Sequence, residues 1–335
     1  MGEGERILVI GSNSFSGASF VDYVLAGGAT VIGASRSPEP HPAFLPYRWV
    51  ADSGRLARFR FLQVDLNHDT EDLARAVAEF RPDYVVNFAA QSMVAESWLH
   101  PDHWYQTNVV ANVRLHERLR HFDFLKRYVH VSTPEVYGNC TGKVTEEAPL
   151  NPSTPYAASR AACDLHLLTF FKNYRFPVVF TRAANVYGPG QQLYRIIPRT
   201  VLYLKTGRRL QLHGGGHSVR SFIHVRDVAE GTMRVARQGE PGEVYHFSTP
   251  LYQSIREVVE AVCRKLGADF NDVVEVVGER PGKDSAYLLD SAKARQVLGW
   301  SDRIGFAEGL DETIAWLSRN LDALRAQPWE YLHKP

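Results

Sequence analysis

The sequence predicts an α/β protein: a doubly wound parallel sheet with a smaller C-terminal α/β lobe. Two observations predict it. Short β-branched or aromatic runs alternate with longer helix-like segments through the first half, and this alternation breaks after Thr181 into Gly- and Pro-punctuated loops. Ile7 to Ile10, Thr30 to Ala34, Phe61 to Val64, Tyr84 to Phe88, Tyr128 to Val131 and Val178 to Thr181 read as strands. Between them Phe15 to Leu25, Glu71 to Phe80, Trp104 to Arg120 and Tyr156 to Tyr174 read as helices. A strictly alternating βαβα order implies a parallel sheet covered on both faces. Beyond the break, helices are expected near Ser254 to Leu266 and Phe306 to Leu324, with a short strand near Val273 to Val277. The division expected is 1–182 for the doubly wound unit, with some chain returning from the second half, and 183–330 mainly for the smaller lobe.

The 335-residue chain is long enough for an ample core. A formal net charge of +1 gives no electrostatic reason to invoke nucleic acid or an acidic membrane, so the expected partner is a small molecule. Cys140, Cys163 and Cys263 lie far apart without paired spacing, which argues against a disulfide framework or a zinc site and for a reducing, cytoplasmic setting. No apolar run approaches transmembrane length and no signal-peptide pattern opens the chain. His213, His217 and His224 lack metal-ligand spacing, and no metal is expected.

The first strand runs into Gly11-Ser12-Asn13-Ser14-Phe15-Ser16-Gly17, and a helix follows. Gly11 suits a tight turn and Gly17 a close approach of helix to sheet, while the helix N-terminus offers N–H groups to a pyrophosphate. Ser14 occupies the middle position, where a small hydroxyl still permits close approach and could donate to phosphate. An ordinary strand-to-helix turn is the plainer reading. The second strand ends in Gly33-Ala34-Ser35-Arg36-Ser37 with no acid for a ribose 2′-hydroxyl. Arg36 suits a 2′-phosphate, so NADP is favoured over NAD; a solvated surface arginine is the alternative. Asp65, in Val64-Asp65-Leu66, could hold the adenine amino group or cap a helix.

Tyr156 and Arg160 lie four residues apart and share a helix face. Lowering a phenol pKa from about 10 to about 7 takes roughly 4 kcal/mol. One cation at about 4 Å supplies about that at an effective dielectric of about 20. A surface ion pair between Arg160 and Asp164 is the competing reading.

Taken together, Gly11 to Gly17, Ser132-Thr133 and Tyr156 with a basic residue four later resemble the extended short-chain dehydrogenase/reductase family of nucleotide-sugar enzymes, over nearly the whole chain. The resemblance implies a Rossmann-type fold, a tightly bound and recycled NAD(P), and a homodimer paired through the helices near Trp104 to Arg120 and Tyr156 to Tyr174. It implies a cofactor site built from Gly11, Ser14, Phe15, Gly17, Arg36, Asp65, Leu66 and Ala89 together with Tyr156 and Arg160. The family normally has Lys where this chain has Arg160. Within the family, Ser132-Thr133-Pro134-Glu135-Val136-Tyr137-Gly138 is similar to sugar-nucleotide 4,6-dehydratases, which implies catalytic roles for Thr133, Glu135, Tyr156 and Arg160. Pro134 stands where dTDP-glucose dehydratases place an aspartic acid. Ala89-Ala90-Gln91-Ser92 resembles GDP-mannose dehydratases, whereas Glu279 to Asp284 through Tyr287 resembles dTDP-glucose dehydratases. The substrate contacts implied are Gln91, Ser92, Asn185, Arg220, Arg280 and Tyr287. A 4-epimerase or 4-reductase without elimination remains an alternative, as does a cofactor-binding protein without turnover.

Overall fold

The computed structural model describes residues 4–50, 52–140, 142–278 and 288–334. Seven strands form one parallel sheet: β1 Arg6–Ile10, β2 Thr30–Ser35, β3 Phe59–Gln63, β4 Tyr84–Asn87, β5 Arg127–Val131, β6 Val178–Ala183 and β7 Val244–Phe247. Their spatial order is β3-β2-β1-β4-β5-β6-β7, and every neighbouring pair is parallel. The chain order reverses between β1 and β4, so a crevice opens outside the C-terminal ends of those two strands.

Alternation along β1 shows why the runs are apolar without interruption. Ile7 and Val9 point into one core beneath α1 (Phe15–Ala26), where Phe20, Val21, Val24 and Leu25 are buried. Leu8 and Ile10 point into the opposite core, against Leu73 and Val77 of α2 (Thr70–Phe80), Leu115 and Leu119 of α3 (Asn112–Leu119), and Leu167 of α4 (Pro155–Tyr174). Each such side chain contributes roughly 1.5–3 kcal/mol on burial. That is why a polar residue is not found at these positions in β1.

The six expected strands all form, with β3 starting and ending slightly earlier than the sequence pattern suggested. The seventh, β7, and the helix before it, α5 (Val225–Gln238), come from the second half of the chain. Met233, Val235 and Ala236 of α5 share the core of α1. The helix expected at Trp104 to Arg120 is also subdivided: a wide π-turn, Gln106–Ala111, separates Pro101–Tyr105 from α3. Outside the main sheet, Asn185–Tyr187, Val219–His224 and Tyr252–Ser254 form a three-stranded sheet, and Leu210–His213 pairs with Val274–Val277. The helix expected at Ser254 to Leu266 spans Ile255–Leu266 with Ser254 as its cap; the last one divides into Phe306–Arg319 and Leu321–Arg325.

The glycine-rich turn is fixed by space. A side chain at Gly11 would put its Cβ 2.6 Å from the Ala89 nitrogen, and one at Gly17 would put it 2.2 Å from the Gly11 carbonyl oxygen. Both neighbours are backbone atoms that cannot swing aside. Gly17→Ala should therefore cost about 1–3 kcal/mol as an overpacked contact and open the turn. The expected outcome is a lower thermal midpoint by calorimetry, together with less nucleotide released when the purified protein is denatured.

Candidate active site

The turn after β1, the ends of β2 and β4 and the loop after β3 enclose a cavity of about 380 Å³. Its walls include Gly11, Ser14, Arg36, Asp65, Leu66 and Ala89, and also Gln91, which the sequence reading placed on the substrate. Phe15 and Gly17 lie just behind, in the first turn of α1. Ser14 caps that helix: its hydroxyl donates to the Gly11 carbonyl at 2.7 Å and accepts from the Gly17 N–H at 3.1 Å. With φ of −72° it needs no glycine-only conformation, which explains why serine fits the middle position. Asp65 accepts from the Asn67 N–H at 2.9 Å and so shapes its own loop. Those backbone approaches and the helix N-terminus suit a dinucleotide, and Arg160 keeps two buried donors, Nε and Nη1, without a hydrogen-bond partner among the described residues.

Tyr156 opens α4 and is buried. The loop from β5 brings Thr133 and Glu135 to it. The strand ends at Val131, and Pro134–Tyr137 forms a 3-10 turn, so Thr133 and Glu135 are not placed by strand alternation. They meet Tyr156 for a different reason: Thr133 caps the turn, its hydroxyl accepting from the Glu135 N–H at 3.3 Å, while also hydrogen-bonding the Tyr156 phenol. Pro134 is buried in the first position of the turn, where its fixed φ suits the backbone.

Burial raises the Tyr156 pKa, and the nearby Glu135 charge raises it further. Arg160, the Thr133 hydrogen bond and Arg195 pull it down, but the net direction is up. The expected lowering by one cation is thus not met by Arg160 alone, because desolvation and a carboxylate oppose it. Arg160 itself is 1% exposed; its Nη2 donates to the Val131 carbonyl and, at 3.1 Å, to His130 Nε2.

The surface pair between Arg160 and Asp164 is absent, since both are buried and Asp164 is engaged elsewhere. Its Oδ2 accepts from the Ser132 hydroxyl at 2.7 Å and from Arg182 Nη2 at 2.7 Å. Arg182 also donates to the Tyr137 hydroxyl, which lies 2.7 Å from His246 Nε2. Burial pushes the Tyr137 phenol up to about 12 and the His246 imidazole down to about 3. Ser132 is therefore a structural donor.

Sequence reasoning missed several contributors. Asn108, on the π-turn, accepts from the Gln91 N–H at 2.8 Å and donates to the Ser159 hydroxyl at 3.0 Å, joining the cavity wall to the helix of Tyr156. A π-turn is the local signal, but it is invisible in an amphipathic pattern. Arg195 and the tail residues Tyr331 and Lys334 reach the site from afar; Tyr331 approaches Gln91 at 3.5 Å. His116, His130 and Cys163 also come within 4.8 Å of one another in the core beside Arg160, unlike the sequence-local histidines considered for metal.

Of the substrate residues, Asn185 and Arg220 lie on adjacent strands, with Asn185 opposite Phe222, and Arg220 is buried. Ser92 is exposed beside Gln91. Arg280 and Tyr287 fall outside the described residues.

The family model for GDP-mannose 4,6 dehydratase matches residues 8–313. The chain belongs to that family. A dTDP-glucose 4,6-dehydratase of Streptomyces niveus is 36% identical over 98% of this chain and 96% of its own length. The crystal structure of a dTDP-glucose 4,6-dehydratase from Streptomyces venezuelae with NAD and TYD bound is similar with a TM-score of 0.84 and 34% identity, covering 95% of this chain and 98% of that one. A UDP-glucose 4-epimerase of Thermus thermophilus in complex with NAD shares the fold at a TM-score of 0.83 and 29% identity, over 93% of this chain and 99% of that one. Membership makes the chain a nicotinamide-dependent enzyme of sugar nucleotides. No described helix is long and apolar enough to cross a membrane.

Removing the charge of Asp164 would leave the Arg182 guanidinium buried with no anion. Asp164→Asn should lower unfolding stability by about 3–5 kcal/mol, read as a shift of the urea midpoint at neutral pH.

Proposed function

We propose that the protein converts a nucleoside-diphosphate hexose, dTDP-glucose-like or GDP-mannose-like, to its 4-keto-6-deoxy derivative. The observation that carries this reading is Glu135 beside the Thr133–Tyr156 pair, because elimination needs an acid/base that simple epimerisation does not. NAD(P), which the Gly11 turn, Ser14, Arg36 and Asp65 would hold, would supply a hydride acceptor for C4 and a hydride donor for C6. Tyr156 takes the proton of the 4-hydroxyl, and Thr133 hydrogen-bonds the developing keto oxygen. Arg160 favours the phenolate by charge. Once C4 is a ketone, the C5 proton is acidic; Glu135 removes it and passes it to the departing 6-hydroxyl, which leaves as water, and when hydride reaches C6 the proton taken from the 4-hydroxyl passes from Tyr156, by way of solvent, to C5, which restores the phenolate. NADP is favoured over NAD because Arg36, and no acid, follows β2.

The sugar nucleotide would lie mainly against residues 183–330, its diphosphate toward Asn185 and Arg220, its sugar toward Gln91 and Ser92, with Arg280 and Tyr287 as further contacts. A homodimer is supported by large apolar side chains exposed on the two helices expected to pair: Tyr105, Val110 and Leu165. A sedimentation mass of twice the chain at micromolar concentration is the expected result. Three free cysteines fit a reducing cytoplasm.

Incubation with a panel of sugar nucleotides should give a product lighter by one water in at least one case. With that substrate, Glu135→Gln should lower dehydration about 100-fold or more. It should also shift the pH dependence of C4 oxidation to lower pH, because a charge that holds the Tyr156 pKa up has been removed. Dehydration unchanged in this variant would refute the role given to Glu135.

A further inference from the structure

The end of β2 and the far end of the chain meet at the mouth of the cofactor cavity. Ser35, Arg36 and Ser37 line it on one side and Lys334 on the other. The Lys334 ammonium donates to the Ser37 hydroxyl at 3.0 Å, while the Lys334 carbonyl accepts from Arg36 Nη2 at 3.0 Å and from Gln91 Nε2 at 2.6 Å. The tail is held there by His333. Its ring stacks near those of His100, His103 and Trp104, with centroids 5.1, 5.1 and 5.2 Å away, and its Nε2 lies 2.8 Å from His103 Nδ1.

We propose that Lys334 is a specificity-determining residue: together with Arg36 it binds the 2′-phosphate of NADP, so that the tail completes the cofactor site. This rests on the reading that NADP is the cofactor. A ribose 2′-phosphate carries about two negative charges at neutral pH and is best met by more than one donor. Arg36 offers a planar fork and Lys334 a compact point charge, a pairing that grips phosphate from two directions. The hydroxyls of Ser35 and Ser37 add neutral donors. The nearest downstream acid, Glu39, is turned away: it accepts from the Tyr47 hydroxyl at 2.7 Å and from Arg48 Nε at 3.2 Å. Its charge is therefore offset within its own loop. The partners of this contact stand 297 residues apart, so no local motif could contain it.

The test is calorimetric titration of the full-length protein, freed of resident nucleotide, with NADP and with NAD. The wild type should prefer NADP. Lys334→Ala should weaken NADP about tenfold, as expected for a partly exposed charge-assisted hydrogen bond, and leave NAD within about twofold, whereas Lys334→Arg should keep the preference. A wild type that prefers NADP and a Lys334→Ala variant with the same preference would overturn this proposal and leave the NADP reading standing. Equal weakening of both nucleotides would also overturn it, reducing the tail to a strap. Preference of the wild type for NAD would overturn the NADP reading itself, and this proposal with it.

Discussion

The loop of Thr133 and Glu135, the helix of Tyr156 and the end of β6 are tied together by one buried carboxylate. Asp164 sits on α4 two turns beyond Tyr156, and its Oδ2 receives both the Ser132 hydroxyl and Arg182 Nη2 at 2.7 Å. Ser132 begins the loop that carries Thr133 and Glu135. Arg182 lies near the end of β6, and through Tyr137 it holds the far end of the same loop. One anion thus joins the loop, the helix of Tyr156 and the sheet. A buried ion pair contributes little net stability over a well-packed apolar substitute, but breaking it by moving any of these three elements would leave a buried charge unpaired. Its value here is geometric.

Held in this way, Thr133 contacts both its own turn and the Tyr156 phenol, and Glu135 comes near enough to raise the phenol's pKa. The two candidate bases therefore work against each other electrostatically. A charged Glu135 makes the phenolate harder to form. Mutual opposition of this kind suits a sequence in which Tyr156 accepts a proton first and Glu135 acts later. Repulsion disfavours both being charged at once, so the proton inventory of the centre changes one step at a time.

Much of this was legible in the sequence, for reasons that differ by element. β1, β2, β4, β5 and β6 are buried on both faces, so their apolar runs announce them, and the glycines of the first turn are imposed by backbone approach at Ala89 and Gly11. Tyr156, Thr133 and Glu135 were singled out by the resemblance of their short motifs to a family, and the reason they converge is a capped turn. What stayed hidden is non-local. Some chain was expected to return from the second half, but that it would be α5 and β7, the π-turn that directs Asn108 to Gln91, and the tail that reaches Arg36 all depend on packing between segments far apart in the chain. Periodicity within a window cannot contain such information.

Arginine at position 160, where the family usually has lysine, becomes intelligible once its surroundings are considered. An ammonium has three donors on one atom, whereas the guanidinium spreads its donors over a fork. Arg160 spends Nη2 on the Val131 carbonyl and on His130 Nε2, which lie at the end of β5, and keeps Nε and Nη1 for other use. This requires His130 to accept a hydrogen bond, hence to be neutral. Burial lowers its pKa well below the ordinary histidine value, and the charge of Arg160 lowers it further, so the condition is met by the arginine's own presence. The wider head group is thereby anchored to the strand that carries the Thr133 loop, and its positive charge remains close enough to favour the phenolate of Tyr156. Arginine at this position is part of a matched set with His130 and the end of β5; a lysine would leave the imidazole without its donor unless its ammonium reached the same place.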